Sequence, residues 1–128
     1  MHKISLSSSK HNEMLKLNDQ LNGVIAEMGI QDGILTLYCP HTTAGLTINE
    51  GFDSAVQLDI KKQLKRIAPQ GLPHYTHMEG NSDSHIKAVL MGNSVQVFVE
   101  DGKLQLGQWQ AVYFCEFDGP RSREVWVK

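Results

Sequence analysis

A chain of 128 residues, 41% of them hydrophobic, is the size of one compact domain that buries about two-thirds of its unfolded surface. Twelve basic against fourteen acidic residues give a formal charge of -2, which excludes a global electrostatic bid for nucleic acid or for an anionic membrane and leaves any basic site local. No run approaches the roughly 18 apolar residues of a spanning helix, and the N-terminus has no apolar signal core. Cys39 and Cys115 lie in strand-like runs without CxxC spacing. Buried reduced thiols and a soluble, cytoplasmic protein are the expectation.

In chain order, His2 to Ser8 alternates so that Ile4 and Leu6 share one face of a strand, which Ser7-Ser8-Ser9 ends. From Asn18 or Asp19 the pattern becomes Leu21, Val24, Ile25, Met28, the spacing of an amphipathic helix, with Gly29 placed to stop it. After the turn Gln31-Asp32-Gly33, Ile34 to Tyr38 reads as a buried strand and Ala44 to Asn49 as a second, alternating one. Asp53 is a natural N-cap for a helix reaching about Ile67, whose Lys61, Lys62, Lys65 and Arg66 form a basic outer face and whose Asp59 falls beside the apolar stripe. Ser82 or Asp83 is a natural N-cap for a short helix that ends at Gly92-Asn93. Ser94 to Glu100 is a strand, Asp101-Gly102 a turn, Ala111 to Phe117 a long apolar strand, and Arg121 to Lys128 a closing one. Strands at both ends with helices between predict an α+β fold, mainly an antiparallel β-sandwich-like domain over residues 1–128 with two or three flanking helices.

Polar chemistry is concentrated in His77-Met-Glu-Gly-Asn-Ser-Asp-Ser-His85, where nine residues carry two histidines, two carboxylates and an asparagine before the short helix. The N-terminus of that helix offers free N–H groups to an anion, beside imidazoles able to hold a metal. His41 stands between two strands. Asn49, Glu50 and Asp53 lie where the second of them ends, and could form a wall of the same site or simply meet water. This arrangement points to a polar, metal-assisted site for a phosphorylated small molecule.

Four blocks carry a family resemblance. His41-Thr-Thr-Ala-Gly-Leu-Thr-Ile-Asn-Glu50, Glu79-Gly-Asn-Ser-Asp-Ser-His-Ile-Lys87, Ser94 to Gly102 continuing through Gly107-Gln-Trp-Gln-Ala-Val112, and Asp118-Gly-Pro-Arg121 resemble, in order, those of the YjbQ family (UPF0047), described as secondary thiamine-phosphate synthases. The resemblance spans nearly the whole chain. It implies a YjbQ-like sandwich assembled as a homotrimer, with polar blocks near a subunit boundary, and His41, His77 and His85 as metal ligands. Three imidazoles with open positions are the pattern of a catalytic zinc centre.

The implied reaction joins a pyrimidine pyrophosphate to a thiazole phosphate and releases pyrophosphate, and magnesium could accompany the diphosphate. Leaving-group stabilisation is the chief demand of such a step. Asn81, Asp83, Lys87, Arg121 and Arg123 are the candidate phosphate-binding residues, and Gln108 and Gln110, with Asn49, could hold substrate heteroatoms. Glu79 and Asp53, with Glu50 and Asn49 beside them, are the candidate catalytic groups that orient metal-bound water or shuttle a proton. Arg121 and Arg123 could instead pair with Glu116 or Glu124 across strands, and Trp109 could be a core or interface aromatic. A zinc-type hydrolase using metal-activated water, or a non-catalytic binder of a phosphorylated metabolite, fits the same residues.

Overall fold

The computed structural model describes residues 1–128 and has three helices among eight strands, all paired antiparallel. In chain order they are β1 (His2–Ser7), β2 (Glu13–Lys16), α1 (Asn18–Met28), β3 (Gly33–Tyr38), β4 (Ala44–Glu50), α2 (Ser54–Ile67), α3 (Ser82–Met91), β5 (Ser94–Glu100), β6 (Lys103–Gln105), β7 (Gln110–Glu116) and β8 (Ser122–Val127). A five-stranded sheet runs β1-β8-β3-β5-β6 and a three-stranded sheet runs β2-β7-β4. The α+β expectation holds. Two short strands, β2 and β6, have no counterpart in the sequence reading.

Alternation decides what each sheet buries. Ile4 and Leu6 of β1, Leu35 and Leu37 of β3, Val97 and Val99 of β5 and Val125 and Val127 of β8 point from the large sheet toward Leu46, Val112 and Phe114 of the small one. Leu17, at the N-cap of α1, and Leu21, Val24 and Ile25 within it complete this core. The left-handed Gly29 (φ 65°) ends α1, a conformation that costs a residue with a Cβ about 1 kcal/mol or more. The opposite face of β7 carries Ala111, Tyr113 and Cys115, with Phe117 just beyond, and packs beneath α2 and α3 through Leu64, Ala88 and Met91. With both faces covered, β7 reads as an unbroken apolar run. Burial raises the thiol of Cys115 to about 12, and both cysteines are free and buried.

The inner faces turn polar together at one end of the sandwich. Ile4 and Leu6 are followed by Ser8, Val112 and Phe114 by Glu116, and Val127 and Val125 are preceded by Arg123, all buried. These polar positions meet. Glu116 accepts from Ser8 Oγ at 2.7 Å, from Arg123 Nε at 2.9 Å, from Arg123 Nη2, and from the backbone N–H of Asp118 at 3.0 Å. The pair thus joins one sheet to the other. No helix is long and apolar enough to cross a membrane.

The short helix begins one residue earlier than its sequence suggests. Asn81 occupies the cap position and makes no side-chain cap bond; its Nδ2 donates instead to Asp118 Oδ2 at 2.9 Å. The C-terminal end of α3 lies hard against β4, where a Cβ on Gly45 would stand 2.6 Å from the carbonyl oxygen of Gly92. Leu46 N–H donates to that same carbonyl at 3.0 Å, so the close approach fixes α3 on the sheet and requires glycine at position 45.

Candidate functional site

The cleft opens at the polar end of the sandwich. Its floor is the β3–β4 connection, Pro40 to Thr43, and one wall is the segment leading into α3, with His77, Glu79, Asn81 and His85. Arg121 and Arg123 close the other side, around a volume of about 420 Å³. The three histidines therefore face one space. His77 and His85 stand with ring centres 5.2 Å apart and planes at 88°. A ring centre lies about 3.2 Å from an ion that it ligates, and a tetrahedral angle sets two such centres about 5 Å apart, so the spacing of this edge-on pair equals that of two imidazoles on one cation. His41 lines the same space, but no three histidine, cysteine or carboxylate groups close into a coordinating set.

His41 is held from behind. Its Nε2 lies 3.0 Å from the backbone N–H of Glu124 and 3.1 Å from the carbonyl oxygen of the same residue, while its ring meets Phe114 edge-on at 6.4 Å. With the proton on Nε2, the ring donates to that carbonyl and leaves Nδ1 free as a ligand; with the proton on Nδ1, Nε2 accepts from the N–H. Burial, and then the neighbouring Arg123 cation, hold this imidazole below its ordinary pKa. The ring is thus biased toward the neutral form that a metal requires.

Around the histidines the charges are paired. Arg121 Nη2 donates to Asp118 Oδ2 at 3.1 Å, the acceptor that also receives Asn81 Nδ2. Glu79 Oε2 lies 3.9 Å from His77 Nε2 and is largely exposed. Arg123 makes the pair with Glu116 rather than with Glu124, and its Nη2 also reaches Thr43 Oγ1 at 2.7 Å. Burial alone would raise the Glu116 carboxyl, but hydrogen bonds from Arg123, Ser8 and the Asp118 N–H, together with the Arg123 charge, leave it below the ordinary carboxylate value. His74, beside Tyr75, lines a space that shares His77 and His85 with the cleft.

Other candidate residues lie elsewhere. Asp83 and Lys87 were expected to bind phosphate, yet they face the interior of the fold and pair with each other, Nζ to Oδ2 at 3.4 Å, with side chains 1% and 2% exposed. The face of α3 that they share is turned onto the small sheet. Asn49, Glu50 and Asp53 lie at the far end of β4, about 20 Å from its start at roughly 3.3 Å per residue. There Asn49 Oδ1 accepts from Glu50 N–H, Glu50 Oε2 from Phe52 N–H, and Asp53 Oδ1 from Ala55 N–H, so all three carboxamide or carboxylate groups serve the chain turn and the α2 cap. Gln110 pairs in register with Glu50, and its Oε1 accepts from Gly107 N–H. Gln108 is exposed beside Trp109, which meets Phe52 edge-on at 5.5 Å. Within one chain these five residues do not border the histidine cleft.

Two groups that shape the cleft had only an indirect sequence signal. Glu116 is a carboxylate inside an otherwise apolar strand, and Asp118 stands in the block Asp118-Gly-Pro-Arg121. A lone acid on the inward-facing stripe of a buried strand announces an ion pair, and the partner, seven residues on, is Arg123.

Comparison with known proteins supplies a family match. Residues 2–128 match the family described as UPF0047 protein YjbQ-like. A UPF0047 protein of Methanocaldococcus jannaschii is 44% identical over 128 residues, covering 100% of this chain and 92% of that protein. The UPF0047 protein YugU of Bacillus subtilis is 42% identical over 125 residues, 98% of this chain and 95% of its own. Among solved structures, an uncharacterized conserved YjbQ/UPF0047 protein of Clostridium acetobutylicum superposes with a TM-score of 0.95 at 46% identity, covering 100% of this chain and 98% of that one. A conserved hypothetical protein of Thermus thermophilus gives 0.93 at 36% identity, covering 100% and 98%.

Proposed function

The chain belongs to the UPF0047 YjbQ-like family, and from that premise we propose that its cleft is a metal-assisted site for phosphorylated small molecules. The reaction proposed is of the thiamine-phosphate-synthase kind. A ring nitrogen of a thiazole phosphate forms the new C–N bond as the C–O bond to the pyrimidine's diphosphate breaks, and pyrophosphate leaves with the electron pair. The observation that carries the reading is the gathering of His41, His77 and His85 with Arg121, Arg123 and Asn81 around one space of about 420 Å³.

His77 and His85 would hold a divalent ion, zinc by donor preference, and His41 would become a third donor through Nδ1 only by moving toward them. Such an ion supplies charge stabilisation to phosphate oxygens. The protein's own part is to fix donors where charge develops on the leaving group: the Arg121 guanidinium, the Arg123 guanidinium, and the Asn81 amide held by Asp118. Glu79, exposed beside His77, is placed to orient water or take a proton. A homotrimer belongs to the same proposal. Phe52, Leu58, Ile67 and Trp109 are between 47% and 71% exposed on the chain alone, which favours a covering partner.

The test is elemental analysis of protein purified without added metal, beside His85→Ala, with the mass in solution measured on the same samples. Near-stoichiometric zinc in the wild type, lost in the variant, together with pyrophosphate release that requires both substrates and a mass of three chains, is the expected result. Metal content unchanged by the substitution would remove the histidine site. Zinc-dependent hydrolysis of simple esters that survives Arg121→Ala would replace the transferase by a hydrolase using metal-activated water.

A further inference from the structure

We propose that Glu116, backed by Thr43 and Ser8, is a positioning residue that holds Arg123 as a preformed donor to an anionic oxygen in the cleft. The inference rests on the phosphate-binding reading above and deepens it by assigning the machinery behind one donor.

A guanidinium has five N–H groups. Nε takes Glu116 Oε1 at 2.9 Å, and the two hydrogens of Nη2 serve Glu116 Oε2 and Thr43, whose Oγ1 accepts at 2.7 Å and whose carbonyl accepts at 3.3 Å. The two N–H groups of Nη1 have no protein acceptor. Arg123 is only 6% exposed, yet it lines both the histidine cleft and the neighbouring space walled by Ser5, Ser7, Ser122 and Glu124. Its unused nitrogen is left to one of these two spaces, and we assign it to the cleft while the rest of the group is locked.

Glu116 is itself fully engaged, with Ser8 Oγ and the Asp118 N–H filling the lone pairs that Arg123 leaves. It cannot swing away to follow the arginine. A mobile arginine surrenders rotamer freedom when a ligand arrives; Arg123 has surrendered it on folding, so its contact with an oxygen is enthalpically similar and entropically cheaper. Arg121 is the contrast. It is half exposed and held by Asp118 alone, so it can follow the ligand.

The probe is inorganic phosphate, titrated into the full chain with and without bound zinc and followed by calorimetry and by the arginine side-chain ¹⁵N resonances. In the wild type, Arg123 should show slow guanidinium rotation, and phosphate should shift its signals. Thr43→Val should weaken phosphate by roughly tenfold and lower the unfolding midpoint as well, because Arg123 Nη2 keeps only the longer contact to the Thr43 carbonyl. Its Nη signals should broaden toward fast rotation, and Thr43→Ser, which keeps the hydroxyl, should restore both readouts. Glu116→Gln should lose at least as much affinity, judged on folded protein by circular dichroism. If wild type binds phosphate but Thr43→Val and Glu116→Gln bind it equally well, or the Arg123 signals ignore phosphate, the positioning role is wrong and the cleft reading stands. If wild type takes up no phosphate in either metal state, the cleft reading falls and this role falls with it.

Discussion

Helices α2 and α3 lie over the same small sheet, yet only α3 buries whole residues, and those are polar. α2 has the amphipathic spacing of a packed helix, with a basic outer face, and not one of its fourteen residues is buried. α3 is polar over its first turns and buries Asp83, Ser84 and Lys87. The difference teaches that helical period forecasts a helix well and forecasts its depth poorly. Depth depends on what lies beneath. Under α3 lie the carbonyl of Phe117, which accepts from Ser84 Oγ at 2.6 Å, and the Asp118 carboxylate that holds Asn81. Polar side chains can enter there because the chain offers them partners, though Asp83 Oδ1 and Asn81 Oδ1 remain without one.

The comparison breaks most sharply at Lys87. Its removal by Lys87→Met leaves the Asp83 carboxylate buried with neither oxygen paired, and a stability loss of about 3–5 kcal/mol is expected. Adding Asp83→Asn removes the stranded charge and should recover most of that loss, although it restores no contact. Urea unfolding midpoints of wild type, single and double variants measure both steps. Equal losses in the single and double variants would mean that Lys87 matters for packing, not charge.

The ground beside α3 yields the next effect, a dependence on pH. Glu116 has a folded pKa below its ordinary 4.5, so the folded state binds fewer protons than the unfolded one in that range. The stability it contributes is fully present above pH 4.5 and is lost as pH falls through the depressed value. Unfolding free energy followed from pH 6 down to pH 3, as an order-of-magnitude window around the carboxylate range, should slope downward below 4.5 in the wild type and slope less in Glu116→Gln. Parallel profiles would assign the acid sensitivity to other carboxylates.

Local sequence carried much of the frame and less of the site. The extent of α2, its Asp53 cap, the Gly29 stop and β5 from Ser94 to Glu100 are written in contiguous residues and fall where the pattern puts them. β2 does not, because four residues between a turn and a helix become a strand only through pairing with β7, a hundred residues away. Asp83 and Lys87 read as candidate phosphate-binding residues for the same reason, since nothing within ten residues reports which face of α3 meets the sheet. The separation of Asn49 and Glu50 from His41 was legible, by contrast, from strand length alone. The Arg123–Glu116 pair was among the readings the sequence allowed, whereas Thr43 acquires its significance only when Arg123 arrives from the other sheet.

The smallest expected effect lies on α2 itself. Asp53 Oδ1 accepts from Ala55 N–H at 3.0 Å and satisfies one of the free donors at that helix start, as a cap should, while water surrounds it. Asp53→Ala should therefore cost about 1 kcal/mol, a third or less of the Lys87 effect, and should leave the environment of the histidines untouched. Two-dimensional NMR of the imidazoles, run beside the urea midpoint, separates the two outcomes. A loss near 1 kcal/mol with unmoved histidine signals makes Asp53 a cap and nothing more. Displaced histidine signals would tie the far end of β4 to the cleft.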